Sequence, residues 1–340
     1  MRDEIRARGE ISSSSSLIPH PSSLKKLRLV FMGTPETAVP TLKRCLDDGH
    51  EVVAVWTQPD RAAGRGNKLT APPVKEFARA RGLTVHQPVK IKTTEAAELF
   101  ASHKAEAAVV VAYGRILPAS FLGAPRYGCL NVHFSLLPKY RGAAPVNWAI
   151  VRGETETGVT TMRIDEGLDT GAIYLQQATP IGADETAPQL LARLAVMGAE
   201  LLSETLSRLD ELELRPQRED AATHAPLLRR EDGLIDWNLN AIEIERRVRG
   251  FQPWPNAHTQ FRGQRLVIRG AVIWREAEEE KFAERAVIGE IVRAHGDEFT
   301  VRCGDQTYLQ LSEVQLEGKR RMSARDFVNG MRVQIAETVG

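Results

Sequence analysis

Strand-like and helix-like apolar segments alternate along the first two thirds of the chain. Residues 27–31 and 51–56 are short apolar runs typical of strands, and apolar residues recur at helical spacing over 39–46 between them. Thr34 is placed to cap that helix. Residues 106–112 form a continuous apolar run, which is typical of a central strand buried on both faces. This alternation predicts an α/β fold with a mostly parallel, doubly wound sheet.

The pattern changes in the last third. Residues 186–209 predict a long amphipathic helix that opens with a capping box, residues 213–233 are polar with few apolar positions, and residues 240–250 suggest a short helix. Short alternating segments follow at 257–261, 265–274, 287–294, 298–303 and 308–314. Strands of this length and spacing predict a small β-barrel. We therefore expect one domain over 27–212, a linker over 213–233 and a barrel domain over 234–340.

In residues 1–26 the apolar positions follow neither the spacing of a helix nor that of a strand. Charged residues dominate 2–10, and a serine run covers 12–16. A secretory signal would require a continuous apolar stretch, which is missing. We expect residues 1–26 to be a disordered tail, and the native start to lie nearer Leu24.

Composition and charge exclude several classes of protein. The 340 residues are 42% hydrophobic and 26% charged with a formal net charge of +1, so no global field points to nucleic acid or membrane. Three separated cysteines without a CxxC pair argue against disulfides and zinc and suit a reducing cytoplasm. No apolar run approaches the ~20 residues that span a bilayer. We expect a cytoplasmic protein without a metal and, because neither half shows a spare apolar face, a monomer.

Residues 129–145 carry the first candidate site. Asn131 and His133 are two residues apart in an apolar strand, so their side chains share one face. Pro138 then interrupts any regular ladder. An amide and an imidazole at the end of a strand, before a rigid loop, indicate a site. A core histidine that simply finds a hydrogen-bond partner would have the same local pattern.

Two further loops accompany this strand. Residues 113–118 follow the buried central strand, at the sheet edge where open α/β sheets bind ligands. Residues 165–171 form a loop rich in glycine and aspartate that contains Asp169. An amide can stabilise a developing oxyanion, an imidazole can exchange protons at neutral pH, and a carboxylate can orient the imidazole. Asn131, His133 and Asp169 therefore suit acyl transfer to an amine, on the assumption that the fold brings them together.

The motifs support neither a dehydrogenase nor an enzyme that forms a covalent intermediate. The glycines after the first strand do not form a GxGxxG fingerprint, which weakens an interpretation as a dehydrogenase. No GxSxG elbow or reactive cysteine context is present, so covalent catalysis has no candidate nucleophile.

Positive charge is concentrated in two places. Arg61, Arg65 and Lys68 lie in a glycine-rich loop where only Asp60 opposes them. Taken alone, such a loop is more often solvated than a mobile arm that contacts phosphate. Arginine and lysine also recur through 246–321, either as scattered solvated residues or as one basic face suited to a polynucleotide.

Several long motifs carry a family resemblance. The strings NVHxSLLPxxRGAAP and GLDTG are similar to those of folate-dependent formyltransferases, and FMGTPE, TQPDRxxGRG, VVVAYGxILP, IDW and PWP resemble the methionyl-tRNA formyltransferase family in particular. The resemblance runs from about Leu27 to the end of the chain. It implies a Rossmann-like catalytic domain followed by an OB-like barrel. It also implies 10-formyltetrahydrofolate as co-substrate and initiator methionyl-tRNA as acceptor, in a reaction that serves translation initiation.

The resemblance also implies roles for individual residues. The catalytic group would be Asn131, His133 and Asp169. Contacts to the folate would come from Tyr113, Ile116, Leu117, Ser135, Leu136, Leu137 and Pro138. The loops 113–118 and 165–169 would enclose its pterin ring, largely through backbone groups. Contacts to the tRNA would come from Arg61, Arg65 and Lys68, which favours the phosphate-binding arm over the solvated loop. Phe134 stands where relatives commonly carry a small residue, and the strand pattern directs it away from the catalytic face.

Three other functions are compatible with parts of this pattern. A formyltransferase acting on glycinamide ribonucleotide or an amino sugar nucleotide would share the NxH and SLLP segments, but should lack the basic arm and the carboxyl-terminal half. A hydrolase that releases formate would share the same chemistry. A silent RNA-binding module would need only the barrel, and the Asn131, His133 and Asp169 set argues against it.

Overall fold

The computed structural model describes residues 25–63, 68–274 and 286–340. Residues 1–24 of the predicted tail and the predicted tRNA contact Arg65 lie outside these ranges. Among the residues described, no helix combines the length and the apolar character needed to cross a membrane.

The secondary structure follows the predicted order. The strands are β1 (Arg28–Gly33), β2 (Glu51–Trp56), β3 (Arg61–Ala63), β4 (Lys68–Thr70), β5 (Val85–His86), β6 (Ala107–Val111), β7 (Cys129–His133), β8 (Arg141–Gly142), β9 (Glu156–Arg163), β10 (Ile173–Pro180), β11 (His224–Ala225), β12 (His258–Phe261), β13 (Gln264–Trp274), β14 (Ile291–His295), β15 (Glu298–Arg302), β16 (Tyr308–Leu316) and β17 (Met322–Ser323). The helices are α1 (Val39–Asp47), α2 (Pro73–Arg79), α3 (Thr94–Ser102), α4 (Ala119–Leu122), α5 (Pro145–Val151), α6 (Ala187–Ser207), α7 (Ala241–Gly250) and α8 (Ala324–Met331), with short 3-10 helices at Glu36–Ala38, Glu219–Ala221 and Arg230–Gly233.

The first sheet has the strand order β10-β9-β7-β6-β1-β2-β5. Strands β7, β6, β1, β2 and β5 are parallel, whereas β9 pairs antiparallel with both of its neighbours, β7 and β10. Alternate residues of β1 enter opposite layers, as strand geometry requires. Leu29 and Phe31 pack with α1, α2 and α6, and Val30 and Met32 pack with the aromatic residues of α3 and α4. The predicted α/β class, with a mostly parallel sheet covered on both faces, is confirmed.

The second sheet is antiparallel and has the order β12-β13-β16-β15-β14, with β17 paired to β16. The last residues of the chain lie between its two edges. Val339 forms a bridge with Phe261 of β12, and Thr338 forms one with Glu290 beside β14. The path of strands is thereby closed, as the predicted small barrel requires.

Two local predictions at helix starts had different outcomes. At the start of α6, the Gln189 side chain accepts from the Thr186 N–H at 2.9 Å, which is one of the two hydrogen bonds of the predicted capping box. The prediction that Thr34 caps the next helix is wrong, because no side chain caps the 3-10 helix that follows it. Instead, the Thr34 hydroxyl donates to the carbonyl of Tyr113 at 3.1 Å and accepts from the Gln58 N–H at 3.4 Å. It thus connects the loops that follow β1, β2 and β6.

The polar segment 213–233 is attached to the first sheet. Arg215 exchanges backbone hydrogen bonds with Ile173 at the start of β10, and β11 pairs in parallel with β8. Backbone pairing therefore fixes this segment at two places, Arg215 and β11.

Candidate active site

Strand β7 places alternate side chains on two different surfaces. Leu130, Val132 and the following Phe134 lie in the main core of the first sheet. Asn131 and His133 occupy the other face of the strand. Phe134 is 8% exposed, so its side chain contributes to packing and points away from the catalytic face, as the strand pattern predicts.

His133 is buried and oriented by two oxygen atoms. Its Nε2 lies 2.9 Å from the carbonyl oxygen of Tyr140. Because a carbonyl can only accept a hydrogen bond, Nε2 carries a hydrogen. Its Nδ1 lies 3.7 Å from Oδ2 of Asp169, so protonation of Nδ1 would place an imidazolium beside a carboxylate. Nδ1 is therefore the nitrogen that can exchange a proton.

Asp169 reaches this position from the loop between β9 and β10. It has a positive φ of 53°, and its Oδ2 accepts a hydrogen bond of 2.8 Å from the Gly142 N–H. The loop is stabilised internally by Asp165, whose Oδ1 accepts from the Gly167 N–H and the Thr170 hydroxyl at 3.1 and 2.6 Å. The contact that the sequence left as an assumption is present in the structure.

Asn131 supplies an available amide next to this pair. It is half-buried on the face of β7 that also carries His133, and its side chain makes no hydrogen bond to another residue that the structure describes. An amide in that state can donate to a ligand oxygen. The three residues offer a donor, a proton-exchanging imidazole and a carboxylate within one small region.

The predicted folate contacts differ in how far their side chains are accessible. Ile116 is 68% exposed, and Leu136 and Pro138 are partly exposed. The side chains of Tyr113, Leu117, Ser135 and Leu137 are buried. The Ser135 hydroxyl donates to the Lys139 carbonyl at 2.6 Å, and the Ser135 carbonyl accepts from the Thr160 hydroxyl at 2.7 Å.

The predicted basic arm contains a hairpin in place of an irregular loop. Strands β3 and β4 pair antiparallel, with Arg61 opposite Thr70 and Ala63 opposite Lys68. Arg61 is exposed, and the structure describes no ion pair for it. Residues 64–67, which include Arg65, lie outside the described residues.

Asp60, at the base of this hairpin, is bonded to two side chains outside the arm. Its carboxylate receives two hydrogen bonds of 2.6 Å from Lys75 Nζ and one of 2.7 Å from Gln87. These hydrogen bonds hold the pKa of Asp60 below its usual value. Lys75 is only 5% exposed and was missed by sequence reasoning, because a lysine inside an amphipathic helix has no distinctive pattern.

The described part of the chain contains no reactive thiol and no metal-binding group. Cys45, Cys129 and Cys303 are buried, and burial raises the pKa of each thiol to about 12. They are protonated at neutral pH. No group of three or more His, Cys, Asp or Glu side chains within 25–63, 68–274 and 286–340 is arranged to hold a metal ion.

Comparison with known proteins assigns the family. A model described as formyl transferase matches residues 26–206, and one described as formyl transferase, C-terminal domain, matches residues 227–332. The chain belongs to the formyl transferase family. This confirms the family that the motifs around Asn131 and His133 predicted.

Curated relatives and solved structures agree with this membership. The methionyl-tRNA formyltransferase of Citrifermentans bemidjiense is 47% identical over 316 residues, which cover 92% of this formyl transferase and 96% of the relative. That of Acidobacterium capsulatum is 50% identical over 307 residues, covering 89% and 96%. The N-formyltransferase of Helicobacter canadensis, solved with folinic acid and dTDP-3-aminofucose, has a TM-score of 0.62 at 20% identity and covers 84% of this chain and 98% of its own. At that identity the likeness supports the fold alone.

Proposed function

We propose that the protein transfers the formyl group of 10-formyltetrahydrofolate to the α-amino group of initiator methionyl-tRNA. The observation that carries the proposed chemistry is the position of His133, whose Nε2 is bonded to a carbonyl and whose Nδ1 faces the Asp169 carboxylate beside the available amide of Asn131. The acceptor is supported by relatives named methionyl-tRNA formyltransferase that share close to half of their residues with this chain. The product, N-formylmethionyl-tRNA, would serve translation initiation.

The loops around the pair suit a flat, partly apolar ring system. Ile116 and Leu168 are exposed to 68% and 58% and belong to two of the predicted folate-binding loops. Within the segment Ser135–Pro138, the side chains of Leu136 and Pro138 are apolar and partly exposed. We therefore keep Tyr113, Ile116, Leu117 and the segment Ser135–Pro138 as the proposed folate contacts.

The proposed reaction needs a stabilised oxyanion and a proton acceptor. The neutral α-amine attacks the formyl carbon, the carbon–nitrogen bond to the folate breaks, and the folate nitrogen takes up the proton that the His133 imidazolium gives back. Asn131 donates to the oxygen that becomes negative. His133 Nδ1 takes the proton that the attacking amine loses, and Asp169 stabilises the resulting imidazolium. No enzyme residue forms a covalent bond, which agrees with the buried, protonated cysteines.

The remaining parts of the proposal concern the partner and the setting. Arg61, Arg65 and Lys68 would contact the phosphates of the tRNA from the hairpin arm. We also propose that the protein works as a cytoplasmic monomer. Size-exclusion chromatography with light scattering tests the oligomeric state, and a stable dimer would contradict it.

One assay tests the proposed reaction against its alternatives. The purified protein is incubated with 10-formyltetrahydrofolate and, in parallel, radiolabelled initiator methionyl-tRNA, glycinamide ribonucleotide, a dTDP-linked amino sugar, or no acceptor. We expect rapid formylation of methionyl-tRNA only. Comparable turnover with another acceptor would overturn the assigned acceptor, formate release without an acceptor would indicate a hydrolase, and RNA binding without turnover would indicate a binding module.

A further inference from the structure

Residues 215–225, called the clamp segment below, run across the loop that carries Asp169 and the loop that orients the ring of His133. Arg215 exchanges two backbone hydrogen bonds, of 2.8 and 2.9 Å, with Ile173 just after the Asp169 loop. At the other end of the segment, β11 pairs with β8, just after Tyr140. The clamp segment therefore connects the loop of Asp169 to the loop that holds the His133 ring.

The side-chain amide of Gln217 joins these two loops directly. Its Nε2 donates to the carbonyl oxygens of Asp169 and Gly171 at 2.8 and 2.7 Å. Its Oε1 accepts from Nε of Arg141 at 3.0 Å. Arg141 immediately precedes Gly142, whose N–H binds the Asp169 carboxylate. The Gln217 amide thus bonds to the backbone that carries the Asp169 carboxylate. It also bonds to Arg141, the neighbour of the Gly142 N–H that holds this carboxylate.

Thr223 positions the carbonyl group that orients His133. Its Oγ1 accepts from the Tyr140 N–H at 2.9 Å, and its carbonyl accepts from the Arg141 N–H at 2.8 Å. Tyr140 has a φ of 63°, a left-handed conformation that a residue with a side chain adopts at an energetic cost. These hydrogen bonds hold it there, and its carbonyl is the acceptor for His133 Nε2.

Arg141 anchors the clamp segment through an ion pair. Its side chain is 3% exposed, and two of its guanidinium nitrogens bind the two carboxylate oxygens of Glu219 at 2.9 and 2.8 Å. This bidentate geometry restricts both partners. The guanidinium also lowers the pKa of Glu219 below its usual value. The buried cation is therefore paired, and its Nε remains available for Gln217.

We propose that Gln217 is a positioning residue for formyl transfer, and that the clamp segment sets the distance between His133 and Asp169. The inference rests on the proposed function, since it takes these two side chains as the catalytic pair. Within the described residues, the only hydrogen bond that directly joins loop 134–142 to loop 164–171 is the one from Gly142 to the Asp169 carboxylate. The further connection between the two loops runs through the clamp segment.

Two variants and a matched control separate positioning from general stability. Gln217→Met removes the donors and the acceptor at similar length, whereas Gln217→Glu keeps an acceptor for Arg141 but cannot donate to the two carbonyls. Gln252→Met is the control, because Gln252 Nε2 also donates to two backbone carbonyls, those of Val248 and Arg269, at 3.0 Å each. Circular dichroism and thermal unfolding establish that each variant folds.

Both Gln217 variants are expected to lower kcat for formylation about 10- to 100-fold, because displacing a catalytic group by ~1 Å has an effect of that size. KM for both substrates should stay within about twofold, because the change acts on the reacting pair and not on binding. Gln252→Met should keep the wild-type kcat. Histidine-selective 15N NMR without substrate, assigned with His133→Asn, should show both ring nitrogens of His133 shifted in the Gln217 variants only.

A folded Gln217 variant with wild-type kcat, or with unshifted His133 signals, would overturn the proposal. So would an equal loss of kcat in Gln252→Met, since that result would indicate general loosening. If Gln217→Met does not fold, kcat and the His133 signals of Gln217→Glu decide the outcome. If the wild-type protein does not formylate methionyl-tRNA, the proposed function fails, while the NMR comparison still decides whether Gln217 orients His133.

Discussion

Two histidines end parallel strands of the same sheet, but their surroundings differ. His133 ends β7 and has a carbonyl oxygen at one ring nitrogen and a carboxylate near the other. His86 ends β5, and its ring centroid lies 5.4 Å from that of Trp56 and 5.1 Å from that of His103. Its buried Nε2 has no hydrogen-bond partner among the described residues, and burial lowers the pKa of His86.

The difference lies in what distant segments supply to each strand end. The Asp169 carboxylate on loop 164–172 and the Tyr140 carbonyl, which the clamp segment holds in place, face the two ring nitrogens of His133. Aromatic neighbours pack against His86 and favour its neutral form. Position at a strand end is therefore insufficient for acid–base chemistry, and the polar partners decide which imidazole can take part.

The largest effect should come from removing the proposed catalytic pair. His133→Ala or Asp169→Asn is expected to lower kcat by about 10²- to 10⁴-fold, because each removes acid–base assistance. His86→Phe should leave kcat unchanged, since it retains an aromatic ring and removes an unpartnered nitrogen. Steady-state kinetics on variants with native circular dichroism checks both. Near-normal turnover in either pair variant, or an equal loss in His86→Phe, would abolish the contrast between the two histidines.

The next effect concerns the amide beside the pair. Asn131→Ala should lower kcat by about 10²- to 10³-fold through loss of one donor to the oxyanion, with little change in folate binding. Asn329→Ala, at an exposed position on α8, is the control. Kinetics and a fluorescence titration with folate measure the two quantities. Weaker folate binding at unchanged kcat would reassign Asn131 from the reaction to binding.

The arm should affect the acceptor and not the reaction centre. Replacing Arg61, Arg65 and Lys68 by Ala should raise KM for methionyl-tRNA and reduce the salt dependence of kcat/KM by about 0.7–0.9 in slope per lost phosphate contact. Lys43→Ala is the control, because this exposed lysine pairs with Asp47 on α1. KM for the folate should not change. An equal loss with a minimal amine acceptor would show that the arm acts on the reaction itself.

The smallest effect is a pH dependence of stability at His86. Its pKa is lowered in the folded state, so its contribution to stability is complete above the unfolded value of about 6.5. That contribution is lost as the pH falls below this value, because the unfolded chain then binds the proton more readily. As the pH is lowered from about 6.5 to 5, the Tm of His86→Phe should therefore fall less than the Tm of the wild type. An unchanged Tm profile, matching that of the exposed-site control His295→Gln, would contradict this.

Periodic patterns allowed much of the fold and part of the site to be predicted. The central strand expected over 106–112 spans Ala107–Val111, and Asn131 and His133 share a face as the two-residue spacing requires. The position of Asp169 could not be deduced in this way. Strand β9 runs antiparallel to β7, with Arg163 opposite Leu130, so the following loop starts level with the beginning of β7 and must turn back to reach His133.

The clamp segment and Lys75 were missed for a common physical reason. Gln217 and Thr223 bond to backbone groups of other loops, and Lys75 bonds to a carboxylate at the base of the arm. Such contacts depend on three-dimensional proximity and leave no period in the sequence. The composition of the polar segment 213–233 therefore gave no sign of the contacts that Gln217 and Thr223 make.

The close approach of α6 to β7 has a consequence for building chimeric enzymes. A Cβ atom at Gly198 would lie 2.7 Å from Val132 Cγ1 and 3.5 Å from a ring carbon of Phe134. The helix therefore fits over this strand because it has no side chain at that position, and Phe134 occupies the adjoining space. A helix transplanted from a relative with a larger residue at 198 would press on the strand that carries Asn131 and His133. The two elements should be exchanged as a unit.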